Sequence, residues 1–215
     1  MKTGHLILVN GSSSAGKSST CEAFQNLSPN LYVHLGIAEF WRSIPSKQLQ
    51  ITQATPEFYQ TNTYYQEGKP YFRITPGPVL DKVMCASYQA IATYLEAGFD
   101  VISDQLFWKP EWFQRALVAF HPYSVYFVGL FVSDEEGARR EQQRSQKDPA
   151  NIAYEHRSPG WNRCSALVTH AHMIYDIEID NTHLTIEETA QKLLQAVRAS
   201  KNPSAFKKLH QLMFP

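Results

Sequence analysis

The sequence predicts an α/β fold in which a central parallel sheet of five strands is flanked by helices. Short apolar runs alternate with longer segments of helical spacing, a pattern typical of parallel strands joined by crossover helices. Residues 124–132 are apolar almost throughout, as in a strand buried on both faces. The chain has no repeat, and its length is close to the usual size of one domain, so we expect a single domain over residues 1–215.

Each element has its own signal. The first strand, residues 5–9, is a β-rich run that stops at the breaker pair Asn10-Gly11, and helical spacing follows over 18–27. In the last long helix, Thr185 and Glu188 have the spacing of a capping box. The remaining predicted strands cover residues 31–35, 99–104, 124–132 and 173–179, and the remaining predicted helices cover 80–96, 112–120, 134–147, 185–199 and 204–213.

Residues 48–78 do not fit this alternation. They are rich in Tyr and Phe among Thr, Gln, Gly and Pro, with no sustained period. Loops of this length in a compact domain are usually functional or disordered, and the aromatic content argues against disorder. We expect an aromatic-rich insertion that crosses the edge of the sheet and could include a short hairpin.

Composition excludes several classes of protein. Lys+Arg and Asp+Glu both total 20, so the chain lacks the basic excess that a nucleic-acid surface needs. No segment approaches the roughly 20 apolar residues of a membrane span. The three cysteines, Cys21, Cys85 and Cys164, form no CxxC pair, which favours reduced thiols in a cytoplasmic protein. The oligomeric state leaves no signal in the sequence.

One motif identifies the chemistry. Residues 11–18 match G-x-x-x-x-G-K-[ST] at every fixed position, between a predicted strand and a predicted helix. Glycines let such a loop wrap tightly, so that its N–H groups and the helix dipole face phosphate oxygens. The motif predicts a P-loop NTPase fold in which Lys17 contacts the β- and γ-phosphates and Ser18 ligates Mg²⁺. The predicted nucleotide contacts are Gly11, Ser12, Ser13, Ser14, Ala15, Gly16, Lys17, Ser18 and Ser19.

Further candidates lie at the ends of later strands. Asp104 ends an apolar run, where an acidic residue can support the magnesium shell or orient an acceptor, although a turn former would also fit there. Arg140 and Arg144 are one helical turn apart and could neutralise the transferring phosphoryl group from a lid. A solvated helix with pairs such as Glu136–Arg140 explains them equally well. An Asn-Lys-x-Asp base-recognition motif is missing, which argues against a GTPase.

Taken together, these residues resemble the chloramphenicol phosphotransferase-like proteins, which share an I-I-x-L-N-G-x-S-S-A-G-K-S opening. The matching stretches are Leu6–Ser18, Gly36 with Ile44-Pro45 and Lys47, Val101–Asp104 with Phe107, Val128-Gly129, and Tyr175–Asp180 with Thr182-His183. Residues 48–75 are least like the family. The resemblance implies a nucleoside-monophosphate-kinase-like fold with a parallel five-stranded sheet. It also implies MgATP as donor and a small hydroxylated acceptor under a lid.

The chain departs from the family at one position. The family carries an aspartate two residues after the glycine that ends strand two, and this aspartate is thought to deprotonate the acceptor; here the position is Ala38. Glu39 follows, but a one-residue offset on a helix rotates a side chain by about 100°. Glu39 and Asp104 are therefore the two candidate bases.

Three functions remain open at this stage. The leading one is an ATP- and Mg²⁺-dependent phosphotransferase that acts on a hydroxyl of a small molecule. In this scheme Lys17, Asp104, Glu39, Arg140 and Arg144 are catalytic, and Ser18 and Asp104 hold the metal. The aromatic stretch 59–72 would then line the acceptor site or, alternatively, form a satellite hydrophobic cluster. The other two functions are a catalytically inactive nucleotide-binding protein that contacts a partner, and a kinase of nucleotides or nucleic-acid ends.

Overall fold

The structure is a computed structural model, and it describes residues 2–51, 53, 55–146 and 158–214. The strands are β1 (His5–Gly11), β2 (Val33–His34), β3 (Tyr59–Gln66), β4 (Lys69–Pro76), β5 (Val101–Gln105), β6 (Ser124–Phe131) and β7 (Ile177–Asp180). The helices are α1 (Lys17–Leu27), α2 (Ile37–Arg42), α3 (Ser46–Leu49), α4 (Pro78–Glu96), α5 (Pro110–Phe120), α6 (Asp134–Ser145), α7 (Trp161–Thr169), α8 (Ile186–Ala199) and α9 (Ala205–Met213).

The predicted α/β fold with a parallel five-stranded sheet is confirmed. The strand order is β2-β5-β1-β6-β7, and every neighbouring pair is parallel. The register places Val9 of β1 opposite Asp104 of β5. Because parallel strands end at the same edge of the sheet, the loop after β1 and the end of β5 lie side by side.

The sheet is covered on both faces, as parallel sheets require. Side chains alternate along β1, so Leu6 and Leu8 join one core cluster while Ile7 and Val9 join the other. All four are fully buried. Helices α4, α5 and α9 contribute to the first cluster, and α1 and α8 to the second.

The aromatic-rich insertion contains an eight-residue antiparallel hairpin, β3–β4. Its turn residues Glu67 and Gly68 both have positive φ angles, the backbone of a tight hairpin turn. Tyr59 and Phe72 are buried in the first core cluster, and Tyr64 stacks on Tyr71 against it. The insertion is therefore anchored to the main core through its aromatic residues.

Two strands are shorter than the sequence predicts. Strand β2 keeps only residues 33–34 of the predicted 31–35, and β7 begins at Ile177 rather than at residue 173. The cause at β7 is Asp176, whose carboxylate accepts hydrogen bonds from the backbone N–H groups of Phe127, Ser204 and Ala205. This side chain ties β6 to the start of α9 instead of extending the strand.

Helices α2, α3 and α7 were not predicted. They are short, at six, four and nine residues, so their apolar spacing gives little periodic signal. The buried carboxylate of Glu141 on α6 fixes the start of α7 by accepting from the backbone N–H groups of Gly160 and Asn162. None of the described helices is both long and apolar enough to cross a bilayer.

Candidate functional site

The loop between β1 and α1 has the backbone of a phosphate cradle. Gly16 precedes α1 with a φ of 86°, a left-handed conformation that favours glycine. A side chain at Gly11 would lie 2.6 Å from the carbonyl oxygen of Leu130, so the loop passes directly against β6. Helix α1 begins at Lys17, and the positive end of its dipole therefore faces the loop.

Lys17 is buried inside this loop. Its Nζ donates to the carbonyl oxygens of Gly11 and Ser12 at 2.9 and 2.8 Å. Its charge also acts on Asp104, where it lowers the pKa of the carboxyl. The structure thus brings Lys17 to the place that the motif predicts.

Ser18, Asp104 and His34 form a chain of hydrogen bonds beside the cradle. Ser18 Oγ donates to Asp104 Oδ2 at 2.8 Å, and Oδ1 of the same carboxylate lies 2.7 Å from His34 Nε2. Burial by itself would raise the pKa of Asp104. The hydrogen bond and charge of His34, with the charge of Lys17, instead hold that pKa below its usual range. Asp104 therefore stays ionised although it is 1% exposed.

His34 was missed in the sequence. It lies two residues before Gly36 in a two-residue strand, and no motif singles it out. Burial alone would lower the pKa of His34, but the hydrogen bond and charge of Asp104 outweigh burial and raise it. The signal that could have found it is its position at the carboxyl end of a predicted strand next to the strand of Asp104.

Glu39 is placed differently from the other predicted catalytic residues. Its Oε2 accepts from the backbone N–H of Gly36 at 2.9 Å, and its Oε1 accepts from Arg42 at 3.0 Å. Both oxygens thus serve the start of α2, in a capping interaction typical of an N3 glutamate. Glu39 does not line the cleft beside the cradle, whereas its neighbours Ile37 and Ala38 do. Its Oε2 nevertheless lies near Oδ1 of Asp104, because a methyl group at Gly36 would come within 3 Å of both oxygens. The role of Glu39 as a base stays a prediction.

The predicted lid arginines lie on α6 at the other side of the loop. Arg140 forms the expected pair with Glu136, at 2.7 Å, and also donates to the side-chain and backbone oxygens of Asn181 at 3.2 and 3.0 Å. Asn181 in turn donates to the carbonyl oxygen of Ala15 at 2.7 Å. Arg144 lines the cleft beside the cradle. Arg140 is thus paired on its helix and also tied to the loop through Asn181. The lid role of Arg140 and Arg144 stays a prediction.

Two sets of donors near Asp104 could hold a metal. Ser18 and Asp104 offer hard oxygen ligands, which suit Mg²⁺. A second set brings ligand atoms of Cys21, His34 and Asp104 within 4.8 Å of one another. Its sulfur and nitrogen donors suit softer cations, and burial raises the pKa of the Cys21 thiol well above its usual value. The oxygen pair is therefore the set that fits a nucleotide metal.

A cleft opens between the cradle and the hairpin, with about 700 Å³ of empty space, part of it open to solvent. One wall is the phosphate loop with Asp104. The remaining lining is mostly apolar, and its largest members are tryptophans; this apolar wall consists of Ile37, Trp41, Ile74, Leu106, Trp108 and Trp161. The hairpin contributes Ile74 to this wall rather than its tyrosines. Tyr59, Tyr64, Tyr71 and Phe72 of the aromatic stretch pack on the core, and the aromatic residues that line this cleft are tryptophans from other segments.

Helix α7 is hydrogen-bonded to the phosphate loop. Ser12 Oγ donates to Asn162 Oδ1, and the backbone N–H of Ser13 donates to Ser165 Oγ, both at 2.8 Å. A second cleft lies across the loop between α6 and the start of α8, where Arg140, Asn181 and Thr185 contribute to its lining. The loop therefore borders two clefts, one lined by tryptophans and one lined by α6 and the start of α8.

Comparison with known proteins agrees with this geometry. Residues 4–198 match the family described as chloramphenicol phosphotransferase-like protein. A Mycobacterium tuberculosis protein named "Putative O-phosphotransferase Rv2636" is 42% identical over 212 residues, which are 98% of this chain and 90% of that protein.

Among solved structures, a sugar kinase from Janibacter sp. HTCC2649 superposes with a TM-score of 0.57 at 14% identity, over 91% of this chain and 95% of that one. The APS kinase CysC of Mycobacterium tuberculosis gives a TM-score of 0.55 at 12% identity, over 92% and 99%. These two show that the fold is shared with P-loop kinases. The family match and the sequence relative go further: the chain is a member of the chloramphenicol phosphotransferase-like family.

Proposed function

We propose that this chain transfers the γ-phosphoryl group of ATP to a hydroxyl of an uncharged small molecule. The observation that carries the proposal is the lining of the cleft, which combines the cradle with buried Lys17, the Asp104 carboxylate and an apolar wall. A phosphate donor and an apolar-bodied acceptor can thus meet at one point. Membership of a phosphotransferase family, and a relative named as an O-phosphotransferase, support the same reaction.

The donor half of the site acts by positioning. Lys17 would leave the loop carbonyls for the β- and γ-phosphates, and the loop N–H groups would hold the remaining oxygens. The cleft lined by Arg140, Asn181 and Thr185 lies on the other side of the loop and offers room for the nucleoside. Arg140 and Arg144 on α6 are near enough to the loop to stabilise negative charge on the phosphates.

Ser18 and Asp104 are the residues that would hold Mg²⁺, because they present adjacent hard oxygens and Asp104 remains ionised. When bound, this ion screens the negative charge of the phosphates and orients them. His34 fixes the Asp104 carboxylate from the side opposite Ser18.

The acceptor hydroxyl needs little activation by a base. Phosphoryl transfer relies mainly on positioning and electrostatics, so the chain can act without the family aspartate that Ala38 replaces. Among the described residues that line the cleft, Asp104 supplies the carboxylate. It is therefore the group that would accept the hydroxyl proton or orient the hydroxyl.

The direct test is transfer of labelled γ-phosphate from MgATP to a fractionated metabolite extract and to chloramphenicol. Lys17→Ala is expected to reduce formation of the labelled product by about 100- to 1000-fold, because one of the main charges on the transition state is removed. Lys192→Ala, an exposed change of the same kind on α8, serves as the control and should leave transfer unchanged.

The outcome separates the alternatives. A labelled small product that is lost in Lys17→Ala establishes a kinase. Wild-type protein that binds ATP but shows neither transfer nor hydrolysis above the Lys17→Ala background would contradict the proposal for the acceptors tested. That result would favour the nucleotide-binding protein without catalysis.

A further inference from the structure

The two oxygens of the Asp104 carboxylate have different neighbours. Oδ2 accepts from Ser18 Oγ on the side of the phosphate loop, and Oδ1 lies 2.7 Å from Nε2 of His34. Because Asp104 is ionised, this ring nitrogen carries the proton and donates to Oδ1. Ser18 and Asp104 line the cleft, whereas His34 does not. Oδ2 therefore belongs to the nucleotide side of the site, and Oδ1 is held by a residue outside the cleft.

A second carboxylate lies close to Oδ1. A methyl group at Gly36 would come 1.9 Å from Oδ1 of Asp104 and 2.8 Å from Oε2 of Glu39. Oε2 of Glu39 accepts from the backbone N–H of Gly36, and among the described residues the donor to Oδ1 is His34. Without His34, Oδ1 would be a buried acceptor without a donor and would face a like charge. The carboxylate of Asp104 would then turn away from its present orientation.

The short strand β2 fixes the imidazole at this point. It pairs with β5, and the register places His34 opposite Ile102. On either side of His34, the backbone N–H of Val33 donates to the carbonyl oxygen of Asp100 at 2.9 Å, and that of Leu35 donates to the carbonyl oxygen of Ile102 at 3.1 Å. The side chain of His34 is 9% exposed. The backbone and the burial together therefore hold the ring beside the end of β5.

We propose that His34 is a positioning residue for the metal of the nucleotide: it holds the Asp104 carboxylate so that Oδ2 stays beside Ser18 as a metal ligand. The proposal rests on the proposed function for the identity of the nucleotide site and of its metal ligands. His34 acts through Asp104, so its removal lowers metal affinity and leaves the contacts of the phosphate loop with the nucleotide in place. Partners that orient a metal ligand in this way account for about 10- to 100-fold in metal affinity.

Binding of a nucleotide analogue with and without metal tests this on the full chain. AMPPNP, an ATP analogue that resists hydrolysis, is titrated by calorimetry with excess Mg²⁺ and again with a chelator, and the ratio of the two dissociation constants is the gain in affinity from the metal. Both titrations are run at about pH 8.5, well above the ordinary pKa of histidine, so that no imidazolium charge competes with the ion. His34→Leu removes the donor and should lower the gain about tenfold, with metal-free binding unchanged. A general loss of structure would weaken both.

Further variants identify the hydrogen bond as the cause. His34→Gln keeps an N–H donor near the position of Nε2 and should retain the gain within about threefold. His34→Asn keeps an amide that is too short to reach Oδ1 and should behave like His34→Leu. In the Asp104→Asn background, His34→Leu should have no further effect on the gain, because both changes remove the same contact.

His5→Leu is the matched control. His5 pairs with Asp100, which precedes β5 at its opposite end, and 2.8 Å separates Nδ1 of the ring from Oδ1 of that carboxylate. Losing this pair can lower the melting temperature but should leave the metal-dependent gain at its wild-type value.

Four results would overturn the proposal. They are no gain from Mg²⁺ in the wild type, an unchanged gain in folded His34→Leu and His34→Asn, an equal loss of gain in His5→Leu, and an additive loss in the double variant with Asp104→Asn. Phosphate transfer is scored separately with the labelled nucleotide. A gain that depends on His34 without any transfer contradicts only the proposed function, and transfer with a gain that His34→Leu leaves unchanged contradicts only this proposal.

Discussion

The two sides of the cleft are built in different ways. The donor half, residues 11–18 with Asp104, comes from one continuous loop and the end of the strand next to it. The acceptor half, Trp41, Trp108 and Trp161, comes from three separate segments, and the hairpin adds Ile74. In the donor half, Lys17, Ser18 and Asp104 are linked by hydrogen bonds to other protein groups, whereas the acceptor half presents mostly apolar side chains.

This difference shows how the two halves can vary independently. A phosphate group is the same in every nucleotide, so its cradle can be fixed by backbone geometry and a few residues close in sequence. An acceptor is defined by shape and by a small number of polar groups, and those are supplied by side chains that the tertiary fold brings together. Changes in the acceptor half can therefore alter the substrate without affecting ATP.

The largest expected effect comes from removing the charge at the centre of the donor half. Asp104→Asn should lower phosphate transfer by about 1000-fold, because the amide cannot hold a metal or accept a proton as the carboxylate does. Transfer of labelled γ-phosphate per folded molecule measures the effect.

Asp100→Asn is the control for that variant. Asp100 precedes the same strand at its opposite end, where it accepts from the backbone N–H of His5 at 3.0 Å and pairs with the His5 ring. Losing this contact can lower the melting temperature but should leave transfer per folded molecule unchanged. If Asp100→Asn and Asp104→Asn lost activity equally, the effect would be one of folding, and the donor half would not be defined by Asp104.

A smaller effect is expected at the point where the two halves meet. Gly36 precedes α2, which carries Trp41, and a methyl group there would lie 1.9 Å from Oδ1 of Asp104. Its φ of −88° suits any residue, so the effect of Gly36→Ala is steric rather than one of backbone strain. We expect about 100-fold slower transfer, typical of a displaced catalytic group.

Gly68→Asn provides the comparison for Gly36→Ala. Gly68 sits in the hairpin turn with a φ of 73°, which asparagine tolerates, and a side chain there meets open space. Transfer should stay at the wild-type rate. Full activity in Gly36→Ala would show that α2 moves freely relative to Asp104 and that the halves are not sterically coupled.

The sequence predicts the donor half well and the acceptor half poorly, for the same physical reason. The loop and Asp104 follow from motif spacing and from the rule that parallel strands end at one edge. The sequence does not identify His34 as a site residue, because its partner Asp104 is 70 residues away and its strand has only two residues. The tryptophan wall is not predicted either, because Trp41 lies on a short helix, Trp108 on the loop after β5 and Trp161 on a helix that the sequence does not predict. The tyrosines of the insertion have more aromatic signal in the sequence, yet Tyr59, Tyr64 and Tyr71 pack on the core and Tyr65 is exposed.

A buried set of hydrogen bonds supports the donor half, and its contribution to stability can be distinguished from catalysis by varying the pH. Asn10, just before the loop, donates to the Tyr175 hydroxyl at 2.8 Å, and that hydroxyl lies 2.8 Å from Nδ1 of His170. Burial, with a smaller effect from the charge of Lys17, lowers the pKa of His170 to about 4. The folded protein thus keeps this imidazole neutral, and its Nδ1 can accept from the tyrosine.

The smallest expected effect is therefore on stability alone. In the unfolded chain the pKa of histidine is about 6.5, so between pH 6.5 and pH 4 the unfolded state binds a proton that the folded state does not. The contribution of His170 is fully present above pH 6.5 and is lost as pH falls, at no more than about 1.4 kcal/mol per pH unit. His170→Gln keeps an acceptor for Tyr175 but does not titrate. Its melting temperature, measured from pH 7 to pH 5, should fall less steeply than that of wild type, while transfer at pH 7.5 stays the same within about twofold. Parallel melting curves for the two proteins would show that His170 is protonated in the folded state, and the support of the donor half would then include a charge.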